Sequence, residues 1–193
     1  MDVYIIGYIL IFLGIIISVI ANLFVKITYK KYLNFENSKG LTGFDVARKI
    51  LDKNNLQDIH IVEVRGYLTD HYDPNRKVVR LSSEVFHENS IASVAVAAHE
   101  VGHALQDANN YWFMKFRSFL VPFVNFISRA GYFAILIGII FGYGSVIYIA
   151  IAMELATLLF QIVTLPVEFN ASKRALLKIR EYNLVTDFAI FCL

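Results

Sequence analysis

The interpretation of the whole chain depends on one stretch, Val94-Ala-Val-Ala-Ala-His99-Glu100-Val101-Gly102-His103-Ala104-Leu105-Gln106. Its apolar run predicts a helix, for which Ser90 is a candidate N-cap. His99 and His103 are four residues apart, so they share one helix face with Cβ atoms about 5–6 Å apart. At that spacing two imidazoles can reach one zinc ion at about 2.0–2.1 Å each. Glu100 beside them can take a proton from a zinc-bound water.

The pattern has a structural alternative, in which the two histidines pack on a helix without any metal. Gly102 lies between them and costs about 1 kcal/mol relative to alanine in a helix interior. A site that needs close approach would explain this cost, and so would plain packing of the helix against a neighbour. The rest of the chain has to distinguish the two explanations.

The composition indicates a membrane protein. The chain has 193 residues, of which 57% are hydrophobic and 18% are charged, whereas about 25% are charged in a typical soluble domain. A net charge of +2 with no basic block gives no support for a nucleic-acid partner. Cys192 is the single cysteine, which excludes a disulfide framework and a cysteine-based zinc site. Any zinc must therefore use histidine and carboxylate ligands.

Two apolar regions are candidates for membrane spans. Residues 3–25 carry no charge over 23 residues, which is long enough to cross about 30 Å of hydrocarbon. Residues 130–167 hold one charge, Glu154, over 38 residues and are too long for a single span. Gly142-Tyr143-Gly144 interrupts them, so we predict a hairpin of two spans joined by an outside turn, at about 119–142 and 145–166.

Arg129 and Glu154 would lie at similar depth on the two antiparallel helices of this hairpin. Charges inside membranes are usually paired and rarely face lipid. We therefore predict an Arg129–Glu154 ion pair. The alternative is that Arg129 extends to the interface and Glu154 faces a polar cavity.

Basic residues flank the predicted spans on one side, which predicts the orientation of the chain. They follow the first span at Lys26, Lys30 and Lys31, and the last span at Lys173, Arg174, Lys178 and Arg180. By the positive-inside rule, the N-terminus faces out and these flanks face the cytoplasm. The chain is then a multi-pass cell-membrane protein whose region 26–118 and C-terminal helix 167–193 are both cytoplasmic.

Region 26–118 is predicted to be a small unit of helices and strands around the H-E-x-x-H helix. The predicted elements are a helix over 44–51 with Thr42 or Asp45 as cap, strands over 59–64 and 77–81 that form a hairpin or small sheet, and a short helix over 82–86. The polar segment 68–76 is either a solvated turn or the wall of a cleft. The aromatic and basic segment 107–117 suits a membrane interface, and helix packing is its alternative.

A catalytic zinc takes three protein ligands, so one ligand is missing after His99 and His103. A metzincin would place a third histidine at position 109, which is Asn109, so that class is excluded. Glu168 is the best carboxylate candidate, because the hairpin returns the chain to the same membrane face and Pro166 fits the first turn of a new helix. An ordinary amphipathic helix is the alternative. Weaker candidates for the third ligand are Asp107, Glu84 and Asp187.

Three motifs carry a resemblance to a family: His99-Glu-Val-Gly-His103-Ala-Leu-Gln, Leu165-Pro-Val-Glu168-Phe-Asn-Ala-Ser and Leu68-Thr-Asp-His-Tyr-Asp-Pro. Together they resemble the YugP-type bacterial membrane-anchored neutral zinc metallopeptidases, and more distantly the HtpX-like and CAAX-prenyl-protease-like enzymes. The resemblance runs from about residue 4 to about residue 180. It implies one zinc ion bound by His99, His103 and Glu168, with Glu100 as general base, in a gluzincin site that faces the cytoplasm.

The chain departs from these relatives in two places. The HtpX-like enzymes carry the third ligand in an E-x-x-A-D pattern, and Ser172 stands here in place of the aspartate. A hydroxyl can still form a hydrogen bond with a ligating histidine. The family usually continues with another hydrophobic segment, so we expect the C-terminus of this chain to be truncated. The expected fold class is a mainly α membrane protein, with about three transmembrane helices and a small α+β zincin-like catalytic region.

The expected reaction is the hydrolysis of a peptide bond in a peptide or membrane-protein substrate at the bilayer surface. His71, Tyr72 and Arg174 are candidates for stabilising the oxyanion, and the sequence does not choose among them. One alternative is an intramembrane metalloprotease, but residues 91–108 are short for a span and closely bracketed by charges. The other is a non-catalytic membrane zinc-binding scaffold, which would need no base at Glu100.

Overall fold

The computed structural model describes residues 3–185, and side chains from residue 12 onward apart from that of Ile15. Asp187 and the predicted truncated end at 186–193 lie outside this range. The elements in chain order are α1 (Val3–Leu33), α2 (Gly43–Lys53), β1 (His60–Val64), β2 (His71–Asp73), β3 (Val78–Ser82), α3 (Ser83–His87), α4 (Ile91–Ala108), α5 (Trp112–Phe141) and α6 (Gly144–Glu181).

Three helices are long and apolar enough to cross a membrane: α1 over Phe12–Leu33, α5 and α6. With the small sheet and short helices between α1 and α5, this confirms a mainly α membrane protein that carries a small α+β region. α1 and α6 both run beyond the predicted spans 3–25 and 145–166. The H-E-x-x-H helix α4 is not among the candidate spans of the described chain.

The sheet is mixed, with strand order β1-β3-β2. β1 and β3 are parallel and β2 is antiparallel to β3, so of the two predicted arrangements the small sheet forms and the hairpin does not. The parallel pairing is possible because the connection is long enough to return the chain, and β2 forms within it. The Asp70 carboxylate accepts bonds from the amide and hydroxyl of Ser82 and ties the start of β2 to the end of β3.

The helix α4 lies at the centre of the small region, and most of its residues are buried. Ser90 caps it by accepting a hydrogen bond from the amide of Ser93, as predicted. Thr42 and Asp45 cap α2 reciprocally in a capping box. α4 packs against α2, α3 and α6, so the two histidines are carried by a helix that is fixed on several sides.

The hairpin forms as predicted at its turn and differs from the prediction further along. Gly142 ends α5 with φ of 70°, a left-handed conformation that suits glycine. α6 then continues unbroken through Pro166, so the prediction of a new helix starting there is wrong. Proline in a helix interior removes only one backbone hydrogen bond, and packing of α6 against α4 and α5 keeps the helix together here.

The predicted Arg129–Glu154 ion pair is also wrong. Oε1 of Glu154 is buried without a hydrogen-bond partner among the described residues, and Arg129 is exposed. The carboxyl group instead lies against Gly131, where an added Cβ would be 2.9 Å from Oε1. Arg129 is two residues before Gly131, which turns it by about 200° around α5 and away from Glu154.

Candidate metal centre

Three side chains from two helices meet at the side of α4. His99 and His103 each place Nε2 at 3.3 Å from Oε2 of Glu168. The ligand atoms of the three residues all lie within 4.8 Å of one another. Tetrahedral zinc with bonds of about 2.0–2.1 Å separates its ligand atoms by about 3.3–3.4 Å. The donor set fits a zinc ion with three protein ligands, and the two distances between the histidines and Glu168 match this spacing.

The crossing of α4 and α6 brings Glu168 to the histidines. An added Cβ on Gly102 would lie 2.5 Å from the carbonyl oxygen of Ala171, so the two backbones touch at this point. Glu168 precedes Ala171 by about one helical turn, and Gly102 lies between His99 and His103. Of the two explanations for Gly102, the structure shows close helix packing, and that packing places the third donor.

The other nitrogen of His103 is fixed by a hydrogen-bond network. The Gln106 amide donates from Nε2 to the carbonyl oxygen of Val167 at 2.8 Å and to Oδ1 of Asn170 at 3.1 Å. Its Oε1 is therefore the acceptor 3.0 Å from Nδ1 of His103. The proton on Nδ1 leaves the lone pair of Nε2 free towards Glu168 and any metal.

His99 is oriented by a hydroxyl, as the replacement of aspartate by Ser172 led us to expect. The Ser172 Oγ lies 3.0 Å from Nδ1 of His99. This contact can fix the imidazole so that Nε2 faces Glu168 at 3.3 Å. Both histidines thus present Nε2 to the centre and keep Nδ1 on a protein partner.

Glu100 is close to this centre without being one of its donors. It is 8% exposed and lines the same cavity as His99. Burial raises the pKa of the Glu100 carboxyl, while the two imidazoles and the backbone amide of Tyr72 favour its charged form. A carboxyl group that burial shifts towards neutral pH can exchange a proton during a reaction.

A family model described as "Putative neutral zinc metallopeptidase" matches residues 7–189. The chain belongs to this family. A curated relative, "Putative membrane protease YugP" of Bacillus subtilis (strain 168), is 48% identical over 151 residues, which are 78% of this chain and 67% of the relative. No solved structure matches the chain. The resemblance drawn from three short motifs is confirmed, and the family name indicates zinc as the metal.

Arg117 of α5 is a residue of this centre that the sequence did not indicate. Its Nη2 lies 3.3 Å from Oε1 of Glu168, the oxygen that the histidines do not face. Its Nε is buried and has no hydrogen-bond partner among the described residues. In the sequence, Arg117 is an arginine near the start of an apolar helix. Its segment, 107–117, could be explained by a position at the membrane interface, so nothing pointed specifically to a contact with Glu168.

The other predicted residues, His71 and Arg174, have their described contacts outside the cluster of three donors. His71 is exposed on β2, with Nδ1 2.8 Å from the carbonyl oxygen of Thr69. Arg174 donates from Nε to Oδ1 of Asn170 at 2.7 Å and lies over the Tyr111 ring, so it reaches His103 only through Asn170 and Gln106. Their predicted roles towards an oxyanion stay predictions.

The competing ligand candidates are engaged elsewhere. Asp107 accepts a hydrogen bond from the Tyr72 hydroxyl at 2.8 Å and pairs with Lys77. Glu84 accepts one from the Tyr29 hydroxyl at 3.4 Å. Among the described acidic residues, Glu168 alone joins the two histidines in a possible metal cluster.

Proposed function

We propose that this protein is a membrane-anchored zinc metallopeptidase that hydrolyses peptide bonds at the cytoplasmic face of the membrane. One zinc ion would be held by His99, His103 and Glu168, in the manner of a gluzincin. The observation that carries the proposal is the convergence of two Nε2 atoms on one carboxylate oxygen, each at 3.3 Å, beside the buried Glu100. Membership of the zinc metallopeptidase family supports it.

The chemistry divides between the metal and the side chains. When bound, zinc would supply Lewis acidity, which would polarise a carbonyl group and lower the pKa of a bound water towards neutrality. Glu100 accepts the proton of the attacking water and passes it to the nitrogen of the leaving amine. Gln106 holds His103 in the tautomer that ligation requires, and Ser172 holds the orientation of the His99 imidazole.

Substrate binding and oxyanion stabilisation are assigned to the strand β2 and its neighbours. β2 is the terminal strand of the sheet, so an extended peptide can add to its free edge. The backbone amide of Tyr72 in this strand favours the charged form of Glu100, which supports a position of this edge near the proposed reacting groups. We keep His71 and Arg174 as candidates for the oxyanion donor; each contacts its present partner through one nitrogen, which leaves other nitrogens of the same group available.

The orientation in the membrane is part of the proposal. The basic residues at the end of α1 and along the last turns of α6 support a cytoplasmic site, and the bilayer is then a partner of α1, α5 and α6. Labelling of a cysteine at Lys77 in intact cells would contradict this orientation, and labelling only in inverted vesicles would agree with it. The burial of α4 gives no support to the intramembrane alternative.

The first expected result is that the purified full-length protein binds about one equivalent of zinc and hydrolyses peptides only in that form. Chelation should abolish hydrolysis, and adding zinc back should restore it, because the proposed site holds its metal by three side chains. Zinc content and peptide-library cleavage would be measured on the same samples. Zinc binding without hydrolysis of any peptide or membrane-protein substrate would favour the non-catalytic scaffold.

A second result is expected at Arg117. Arg117→Met should weaken zinc binding by about 10–100-fold, the usual cost of losing a partner that orients a ligand. Removal of a positive charge near the site would by itself strengthen zinc binding, but the loss of orientation at Glu168 should have the larger effect on the affinity. Arg117→Lys should retain part of the affinity. The control is Lys115→Met, an exposed position on the same helix, and tighter binding in Arg117→Met would contradict the assignment.

A further inference from the structure

Two neighbouring cavities lie along α4, one at the candidate metal centre and one beyond it. The first, of about 290 Å³, contains His99 and Glu100 and is otherwise lined largely by apolar side chains of α4 and α6. The second, of about 280 Å³, lies between α1 and α4. Ala95 and Val96 line both cavities, so the two cavities are neighbours along α4. We name the second cavity the α1–α4 groove; its α1 wall contains Phe24, Val25, Tyr29 and Tyr32.

The lining of the α1–α4 groove is mostly apolar, with Thr28, Tyr29 and Tyr32 as its hydroxyl-bearing residues, and it contains no charged side chain in the described part of the chain. Small residues on α4 create it, because Ala92 and Ala95 are three apart and leave space on the face towards α1. The Tyr29 hydroxyl is engaged by Glu84 outside the groove, and its ring packs edge-on against Tyr67. An occupant therefore meets hydrocarbon and aromatic surface.

The groove opens where α1 leaves its apolar stretch. Phe24 and Val25 are 70% and 56% exposed, and Lys26 follows them directly. A basic residue after an apolar run marks the interface of a membrane helix. The groove thus connects the level of the bilayer surface with the cavity that holds Glu100.

We propose that the α1–α4 groove binds an apolar stretch of the substrate polypeptide, which reaches His99 and Glu100 from the bilayer surface. The inference rests on the proposed peptidase function and adds a substrate class: chains with large aliphatic or aromatic residues next to a membrane-anchored segment. Adjacency to the site through Ala95 and Val96, an uncharged lining and exposed apolar residues next to Lys26 all favour a polypeptide that emerges from the bilayer over a hydrophilic soluble peptide.

The test uses the zinc-loaded full-length Glu100→Gln protein in phosphatidylcholine nanodiscs. The probe is a benzophenone-bearing peptide of leucine and alanine, compared with a peptide in which serine replaces leucine. We expect cross-links to residues 24–32 or 92–96, at least about tenfold stronger for the leucine peptide, since a methylene-scale mismatch in an apolar pocket costs about 10–200-fold. Ala95→Leu should reduce them about tenfold, and Ala108→Leu, at an exposed position of α4, should not.

A second variant tests the groove without changing any residue of α4. Phe24→Ser changes only the exposed α1 wall and should also reduce cross-linking, with zinc content unchanged. Cross-links outside the groove, or cross-links that neither variant reduces, would overturn the proposal. So would labelling of the groove by a photoactivatable phosphatidylcholine that the peptide cannot displace.

The two proposals can fail separately in this design. The wild-type protein loaded with zinc is incubated with the same leucine peptide. Cleavage without groove cross-links would overturn the groove and leave the peptidase standing. Groove cross-links without cleavage of this or any library peptide would support apolar polypeptide binding and count against the peptidase.

Discussion

In the Glu100→Gln protein we expect zinc binding to be retained and peptide hydrolysis to fall by about 10²–10⁴-fold, the usual contribution of a general base. Glutamine has nearly the same size and shape, so the buried position beside His99 and His103 stays filled. It cannot accept and return a proton as a carboxylate does. Glu100 is outside the cluster of three donors, which is why the metal should remain.

The measurement is a turnover rate on the peptide identified by library cleavage, with zinc content on the same sample. Glu88→Gln is the matched control, because it makes the same chemical change at an exposed residue just before α4. Full turnover in Glu100→Gln would contradict the assigned mechanism. Loss of zinc from that variant would instead place Glu100 among the ligands.

The Glu168→Ala protein should lose about one equivalent of zinc. Loss of an outer-shell partner already costs about 10–100-fold in affinity, and loss of a direct ligand should exceed that. Oε2 of Glu168 is the atom that both Nε2 atoms face at 3.3 Å, so truncation leaves only two donors and an unpaired Arg117 guanidinium. Two imidazoles alone form an incomplete catalytic site.

Competition with a chromogenic chelator would give the affinity, and circular dichroism would show whether the helices persist. Glu181→Ala is the control on the same helix, since it removes an exposed carboxylate that pairs with Lys178. Glu84→Ala and Asp107→Ala test the competing ligands directly. Full zinc retention in Glu168→Ala, or zinc loss in either competitor, would contradict the third ligand proposed here.

Local features of the chain were predicted correctly because short-range chemistry determines them. The histidine spacing follows from the helix period, and Ser90 and Thr42 cap the helices that follow them. Glu168 needed a longer argument, in which the membrane hairpin returns the chain to the site. That argument held although its detail at Pro166 was wrong, because the position of Glu168 depends on where α6 lies.

Features that depend on distant contacts could not be predicted. A three-residue strand such as β2 is stabilised by Asp70 bonding to Ser82 across the sheet, which no local pattern reports. Arg117 contacts Glu168 from 51 positions away along the chain. The ion pair of Arg129 and Glu154 was predicted from their similar depth in the hairpin alone. The direction in which each side chain points around its helix also matters, and the sequence did not predict it.

Because α6 is one unbroken helix, it fixes the distance between the turn at Gly144 and Glu168. From Gly144 at the membrane turn to Glu168 the helix rises about 36 Å, at 1.5 Å per residue, without a joint. Glu168, the proposed third donor, therefore lies at a fixed height above the turn and on a fixed side of the same helix. A protease whose site is held by α6 would select a peptide bond by its distance from the bilayer as well as by the side chains around it.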